Sequence, residues 1–336
     1  MLPAEVCMRV AITGATGLVG ANLANLLTEG GHEVLCTRRA SSRAAHLAEL
    51  PIQWVEAHLG DQAALARAFN GCELVFHCAA SVDVSPRPTP EQIDTNVEGT
   101  RRVLGAARQA GVRRVVHCSS VVAIGLSETG EPIDETATWN HDKFGLDDGY
   151  AITKRDAEAV VREAVAAGQD AVMVNPTYMF GPFDSRPSSG RMIMEVARGR
   201  ALAASSGFNN FADVRAVVRG MWAAAERGRP GERYILGGRD LTYFDAFSLI
   251  AEVVGARKPS LTLPKAPAMA VGYAGDLLKR MGFHPLVTSM ETRWGFCQGQ
   301  KFRSDKAIRE LGYDLGDLPD AIRQCHAWFL SHGMLP

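Results

Sequence analysis

Val10-Ala-Ile-Thr-Gly-Ala-Thr-Gly-Leu-Val-Gly20 is a β-branched run that breaks into glycines and continues as a helical pattern. Gly14, Gly17 and Gly20 stand at G-x-x-G-x-x-G spacing. Glycine lets a backbone turn sharply and come close to a pyrophosphate. The start of the following helix offers free N–H groups and the positive end of its dipole to the anion. Between a strand and a helix, the loop reads as a dinucleotide cradle rather than a structural turn.

Outward from the loop, short apolar strands alternate with helical patterns. Strands are expected at 9–13, 33–37, 53–56, 74–78, 114–118 and 171–175, with helices over 17–29, 63–69, 93–109 and 150–167. This alternation predicts an α/β fold: a doubly wound parallel sheet of the Rossmann type, covered by helices on both faces. After Pro176 the pattern loosens. Residues 180–190 read as a loop, 213–227 as a helix and 233–236 as a strand returning to the sheet. From Thr242 onward, helices broken by Pro259, Pro264, Pro267 and Pro285 predict a smaller, discontinuous, mostly helical substrate-binding lobe. The expected division is a dinucleotide-binding domain of 1–177 and 208–240, and a lobe of 178–207 and 241–336.

Composition narrows the function classes. The 336 residues carry a formal net charge of -1, so no global field favours nucleic acid or an anionic membrane. Met1–Met8 lacks a basic region followed by an apolar one, so no secretory signal is read there. No apolar run approaches the ~18 residues of a membrane span. Residues 266–281 read as an amphipathic helix, by default core or pocket wall, with peripheral membrane contact the alternative. Seven cysteines without metal-ligand spacing read as reduced thiols, with no metal site. The expectations are a cytoplasmic monomer or homodimer acting on a small molecule, without nucleic-acid partners or integral membrane association.

The end of the second strand bears on the cofactor. An acidic residue there would accept bonds from a ribose 2′-hydroxyl. The sequence instead has Arg38 and Arg39, followed by Ser41 and Ser42, which suit a 2′-phosphate. NADP(H) is therefore expected over NAD(H).

Chemistry is expected at Tyr150-Ala-Ile-Thr-Lys154, where helical spacing puts Tyr150 and Lys154 on one face. An ammonium within ~4–6 Å of a phenol favours the phenolate, so a lowered Tyr150 pKa is expected. Tyr150 then exchanges a proton with a carbonyl oxygen. The fifth strand ends in Ser119-Ser120 at the ligand end of the sheet; Ser120 is the expected partner of that oxygen and Ser119 the alternative. After the fourth strand, His77 reads as structural, and the small residues Cys78, Ala79 and Ala80 allow backbone to approach a cofactor. Asn96 is a candidate for holding a water or a backbone group in a proton relay.

In order along the chain, these motifs resemble the extended short-chain dehydrogenase/reductase family, and within it the dihydroflavonol-4-reductase-like branch of the epimerase/dehydratase superfamily. The resemblance includes Asn175-Pro-Thr177, Phe211-Ala-Asp-Val-Arg215 and Lys306 to Tyr313. It implies a Ser120/Tyr150/Lys154 active site with Lys154 also on the nicotinamide ribose. It implies further cofactor contacts from Thr16, Leu18, Val19, Leu59, Asn96, Pro176 and Thr177, and substrate contacts from Ser81, Ser120, Tyr150 and Tyr178. Two positions depart from the pattern: His58 stands where an adenine-contacting Asp is expected, and Ala216 where the branch has a second Asp. The function implied is NADPH-dependent reduction of a ketone or aldehyde. The alternatives are a sugar-nucleotide epimerase or dehydratase with tightly held NAD, a hydroxysteroid-type dehydrogenase and a non-catalytic cofactor sensor. Val174-Asn-Pro-Thr-Tyr-Met179 in place of an R-x-x-N pattern, and apolar residues at 178–183 and 263–296, favour the reductase with an apolar substrate.

Overall fold

In β1 (Arg9–Thr13), Val10 and Ile12 enter one hydrophobic core while Ala11 enters another. A strand apolar on both faces belongs in the middle of a covered parallel sheet. The chain then runs α1 (Leu18–Glu29), β2 (Glu33–Arg38), β3 (Gln53–Glu56), α2 (Gln62–Phe69), β4 (Leu74–His77), the short α3 (Pro90–Gln92), α4 (Gly99–Gln109), β5 (Arg114–Cys118), the short α5 (His141–Phe144), α6 (Gly149–Ala166) and β6 (Ala171–Pro176). It continues through β7 (Tyr178–Phe180), α7 (Arg191–Ala197), β8 (Ala203–Ala204), β9 (Phe208–Asp213), α8 (Val214–Arg227), β10 (Arg233–Leu236) and β11 (Arg239–Thr242). The last elements are α9 (Tyr243–Val254), β12 (Leu261–Thr262), α10 (Lys265–Arg280), α11 (Ser289–Gly295), α12 (Asp305–Leu311) and α13 (Leu318–Ser331). This computed structural model describes residues 7–283 and 287–335; the early part of the segment read for a secretory signal, Met1–Val6, and the helix breaker Pro285 lie outside the described residues.

Seven strands pair in parallel in the order β10-β6-β5-β4-β1-β2-β3. One face packs against α1, α8 and α12, the other against α2, α4 and α6. Strand order reverses between β1 and β4, which opens a crevice beyond their carboxyl ends. There the loop after β1 meets the loop after β4, with Thr13 in register with His77.

The helix expected over 93–109 is interrupted. Ile93–Glu98 forms a π-helical turn before α4. The wider turn carries Asn96 inward, where it is buried. Single π turns of this kind recur at functional sites.

The smaller lobe has its own core, built from residues including Phe180, Ile193, Phe211, Ile250, Ile322 and Phe329. A three-stranded sheet, β11-β9-β7, lies under its helices, and β12 pairs with β8. Phe180, read as the start of a loop, ends β7 instead. In the tail assigned to the lobe, α12 turns back to the large sheet: Ala307, Leu311 and Tyr313 join the core around α8 and β10. Ala216, where the pattern has Asp, is fully buried in that core.

Candidate active site

The glycine loop is shaped by contacts that only glycine permits. Gly14 has φ of 74°, and a Cβ there would meet the Ala79 nitrogen at 2.5 Å. A Cβ on Gly20 would meet the Gly14 carbonyl oxygen at 2.4 Å. The loop is thus pressed against both the first turn of α1 and the loop after β4. Gly17 begins α1 without a side-chain cap. First-turn N–H groups with no cap are the feature that suits a helix start to a phosphate. Thr16, Leu18 and Val19 lie half-buried along this rim. The cradle fits a dinucleotide pyrophosphate.

Beyond β2, Arg38 and Arg39 are exposed, and neither has a carboxylate partner among the described residues. The Arg38 guanidinium lies over the Trp54 ring at 5.3 Å. The Ser42 hydroxyl accepts from the Arg39 N–H at 3.2 Å. His58 accepts from the Gly60 N–H at 3.0 Å and so closes its own turn. The Leu59 side chain packs toward Gly99.

A chain of hydrogen bonds runs behind the crevice, and its directions fix one tautomer. The Thr100 hydroxyl donates to the Asn96 carbonyl at 2.6 Å. His77 Nε2–H therefore donates to Thr100 at 3.1 Å, and Nδ1 accepts from the Thr13 hydroxyl at 2.7 Å. Burial, seconded by the nearby Lys154 ammonium, pushes His77 down to about 3. Neutral and doubly bonded, it is a structural histidine. His117 lies beside it, its ring centroid 5.3 Å away, with neither ring nitrogen bonded.

Asn96 is committed to the protein. Its amide accepts from the Ser81 N–H at 2.8 Å and donates to the Ser81 carbonyl at 2.9 Å and the Thr153 hydroxyl at 3.0 Å. Of the two groups expected for it, a water or a piece of backbone, it holds backbone. It ties the Cys78–Ser81 loop to α6 one residue before Lys154. Both backbone groups of Ser81 are occupied by that clamp.

Ser120, Tyr150 and Lys154 converge at the end of β5. The Ser120 hydroxyl neighbours the Tyr150 hydroxyl and favours its ionised form. Ser120 also accepts from the Val122 N–H at 3.4 Å, so it caps a short turn as well. Ser119 points the other way and donates to Glu158 Oε1 at 2.7 Å. Lys154 is buried, and its ammonium donates to the Cys118 carbonyl at 2.7 Å. The expected lowering of the Tyr150 pKa is not found: burial pushes it up, opposed by the neighbouring Ser120 hydroxyl. The reason is direction, since the ammonium is aimed at the β5 carbonyl rather than the phenol.

Sequence reading missed Glu158. This buried carboxylate accepts from Ser119 and, at 2.6 Å, from the Asn175 amide on one oxygen, and from Arg162 and Arg233 at 3.2 Å each on the other. Asn175 in turn donates to the Ser120 carbonyl at 2.9 Å. Four residues after Lys154, its place on α6 was readable, but all its partners except Arg162 come from the loop after β5, from β6 and from β10. The Asn175 side-chain amide oxygen and, beyond Pro176, the Thr177 hydroxyl are buried without a protein partner.

On the lobe side, Tyr178 packs edge-on to Phe180 and Phe211. Trp294 of α11 donates to Asp148 at 2.6 Å, and Asp148 caps α6 just before Tyr150. Leu263, Tyr273 and Leu277, expected as pocket or core, are exposed instead. Four arginines on or beside the lobe are engaged: Arg215 with Asp213 and Asp320, Arg198 and Arg200 with Glu195, and Arg293 with the Gly145 carbonyl. Among the described residues, no cluster of His, Cys, Asp or Glu has the arrangement of a metal site, and no helix is long and apolar enough to cross a membrane.

Residues 10–237 match the model of the NAD dependent epimerase/dehydratase family. A "putative dihydroflavonol 4-reductase" from Synechocystis sp. is 33% identical over 328 residues, covering 96% of this chain and 94% of that one. "Sterol demethylase protein B" from Methylococcus capsulatus is 34% identical, covering 98% and 100%. The crystal structure of a nucleoside-diphosphate-sugar epimerase from Pseudomonas aeruginosa superposes with a TM-score of 0.80 at 28% identity, covering 98% and 100%.

Proposed function

The chain belongs to the NAD dependent epimerase/dehydratase family and is an NAD(P)-dependent oxidoreductase of the extended short-chain dehydrogenase/reductase type, and from that premise we propose that it reduces the carbonyl group of a mostly apolar ketone or aldehyde with NADPH. One observation carries the reading: the neighbouring hydroxyls of Ser120 and Tyr150, with Lys154 one helical turn on.

When bound, the dinucleotide supplies the hydride. The chain's own residues manage the oxygen. Ser120 holds the carbonyl oxygen beside the Tyr150 hydroxyl. Burial keeps Tyr150 protonated, the form a proton donor needs, and it gives its proton to the oxygen as negative charge develops there. Lys154 and Thr177 hold the nicotinamide end, and Gly14, Thr16, Gly17, Leu18 and Val19 the pyrophosphate. Leu59, Cys78, Ala79 and Ala80 line the adenine and ribose side, with Asn96 acting behind them through Ser81. Arg38 and Arg39, free of carboxylate partners, select the 2′-phosphate and hence NADPH over NADH.

Ser81 and Tyr178 border the substrate. An apolar substrate is supported by two features: the arginines named above are already bonded within the protein, leaving them poorly placed to anchor a nucleotide diphosphate, and two relatives carry the names dihydroflavonol 4-reductase and sterol demethylase protein B. The test is to incubate protein and NADPH with a carbonyl panel and follow the loss of reduced nicotinamide. Stoichiometric consumption is expected with apolar carbonyls. Tyr150→Phe should bind NADPH normally and turn over roughly 10²–10⁴-fold more slowly, the range for a single positioned acid. Interconversion of UDP-sugars without net loss of NADPH would overturn the reading in favour of an epimerase.

A further inference from the structure

Cys78 and Cys118 come side by side at the crevice. Strands β4 and β5 pair in parallel, with His77 opposite His117 at their carboxyl ends. Side chains alternate along both: Val75 and Val115 enter the core on the α4 side, Phe76 and Val116 the core on the α1 side. The His77 and His117 rings continue the first set, with centroids 5.3 Å apart. One residue on, Cys78 and Cys118 continue the second, and both pack against the core on the α1 side. Adjacent strands lie ~4.8 Å apart, inside the Cα separations of about 4.4–6.8 Å that a disulfide spans. Both thiols are half-buried, whereas Cys36, Cys72, Cys297 and Cys325 are buried. The Lys154 ammonium, 2.7 Å from the Cys118 carbonyl oxygen, places a positive charge beside the pair. The Cys78 thiol and that ammonium hold the Cys118 thiol below the ordinary thiol value against its burial, and Cys78 is pushed up by its neighbour and by burial. A partly exposed thiol kept toward its thiolate by a nearby cation is the reactive kind.

We propose that Cys78 and Cys118 form a redox modification site: a peroxide oxidises the pair to a disulfide between the ends of β4 and β5, and the disulfide closes the crevice to the dinucleotide. The Cys118 thiolate attacks one oxygen of hydrogen peroxide. The O–O bond breaks, a sulfenic acid forms, and the other oxygen leaves as water with the thiol proton. The Cys78 sulfur then attacks the sulfenic sulfur. The S–O bond breaks, and that oxygen leaves as water with the Cys78 proton. The two sulfurs lose one electron pair between them, and one peroxide becomes two waters. The effect on the cofactor rests on the NADPH reading proposed above. Cys78 opens the loop against which the glycine cradle is pressed, since a Cβ on Gly14 would meet the Cys78 carbonyl carbon at 2.7 Å and the Ala79 nitrogen at 2.5 Å. Asn96 clamps the far end of that loop at Ser81. Drawing Cys78 toward β5 therefore displaces backbone on which the cradle is built. Conversely, a dinucleotide lying across the crevice covers both thiols.

The test uses the full chain carrying Cys7→Ser, which removes an exposed thiol and with it bridging between molecules. After treatment with hydrogen peroxide, peptide mass mapping should find Cys78 joined to Cys118, and dithiothreitol should reverse the link. The oxidised protein should bind NADPH about tenfold more weakly or worse, the loss expected when a backbone donor to a phosphate is displaced. NADPH at about ten times its Kd should slow cross-linking roughly tenfold, by mass action on the open form. In Cys78→Ser, Cys118 should stop at the sulfenic acid and be labelled by dimedone; in Cys118→Ser, labelling of Cys78 should be far weaker. Absence of the Cys78–Cys118 link, or bridging of other cysteines instead, would overturn the proposal, as would equal labelling of the two single variants. A link that forms equally fast with NADPH bound would overturn its tie to the crevice. Reduced protein that fails to bind NADPH would count against the cofactor reading alone, because mass mapping reports on the disulfide without any cofactor present.

Discussion

Glu158 gives the sharpest test of how the site is held. Glu158→Ala removes the acceptor for two buried donors, the Ser119 hydroxyl at 2.7 Å and the Asn175 amide at 2.6 Å. Each buried donor left unpaired costs roughly 1–3 kcal/mol. Its other oxygen meets Arg162, 48% exposed, and Arg233, 24% exposed. Solvent screens both, so these ion pairs contribute about 1 kcal/mol or less apiece. The alanine variant should therefore lose about 3–5 kcal/mol, in line with breaking a buried charged contact. Glu158→Gln keeps a carbonyl oxygen for both donors and loses only the screened pairs, about 1–2 kcal/mol. Thermal and urea unfolding at neutral pH give both values, the alanine change corresponding to a fall in Tm of roughly 5–15 °C. Because Asn175 also holds the Ser120 carbonyl, turnover should fall about tenfold in the alanine variant with little change in the Kd for NADPH. Equal losses for Ala and Gln would refute the reasoning, since charge rather than the two buried hydrogen bonds would then hold the site.

Replacing Arg38 and Arg39 by alanine should erase a preference of about tenfold or more for NADPH over NADH, read by fluorescence titration; equal affinities in the unaltered protein would show that neither arginine selects the cofactor. Gly14→Ala should abolish cofactor binding and lower stability by at least ~1–2 kcal/mol, because φ is 74° and the new methyl group would sit 2.5 Å from the Ala79 nitrogen; a variant that binds normally would mean the loop yields more than its packing implies. Stability should also depend on pH. Burial pushes His77 down to about 3 and His141 to about 4, so the unfolded chain takes up their protons first as pH falls below ~6.5. Their contribution is complete above that pH and is lost toward pH 3–4, at up to about 1.4 kcal/mol per pH unit for each histidine. A Tm that stays flat from pH 7 to pH 5 would rule this out.

What the sequence discloses is what depends on near neighbours. The cradle is legible because Gly14, Gly17 and Gly20 answer to one loop and one helix, and Tyr150 and Lys154 because one helical turn joins them. The hydrogen bonds that position the site join distant parts of the chain: Thr13 with His77, Asn96 with Thr153, Ser119 with Glu158, Asn175 with Ser120. No spacing rule reaches across those separations. The choice between Ser119 and Ser120 is of the same kind. Neighbours on a strand end point to opposite sides, and only the location of Glu158 and Tyr150 tells which side is the crevice. A count of four residues gives Lys154 a face, not a target; the nearby Cys118 carbonyl takes its ammonium, and burial, which no spacing shows, pushes the Tyr150 phenol up.

Helix α10 exposes a different limit. Periodicity identifies which residues share a face, and the step from an apolar face to an inward face rests on the cost of leaving apolar surface in water. That step assumes the apolar face can reach a neighbour. Here α11 approaches so closely that a methyl group at Gly272 would collide with Thr292 and Ser289. The glycines offer the shallowest surface on α10, and backbone proximity therefore outweighs side-chain hydropathy in orienting it. The apolar arc is left outward because the packing of two helices through glycine leaves no room for leucine on the inside. Water is a poor environment for such an arc, but turning it inward would cost the close contact with α11 that Gly272 makes possible.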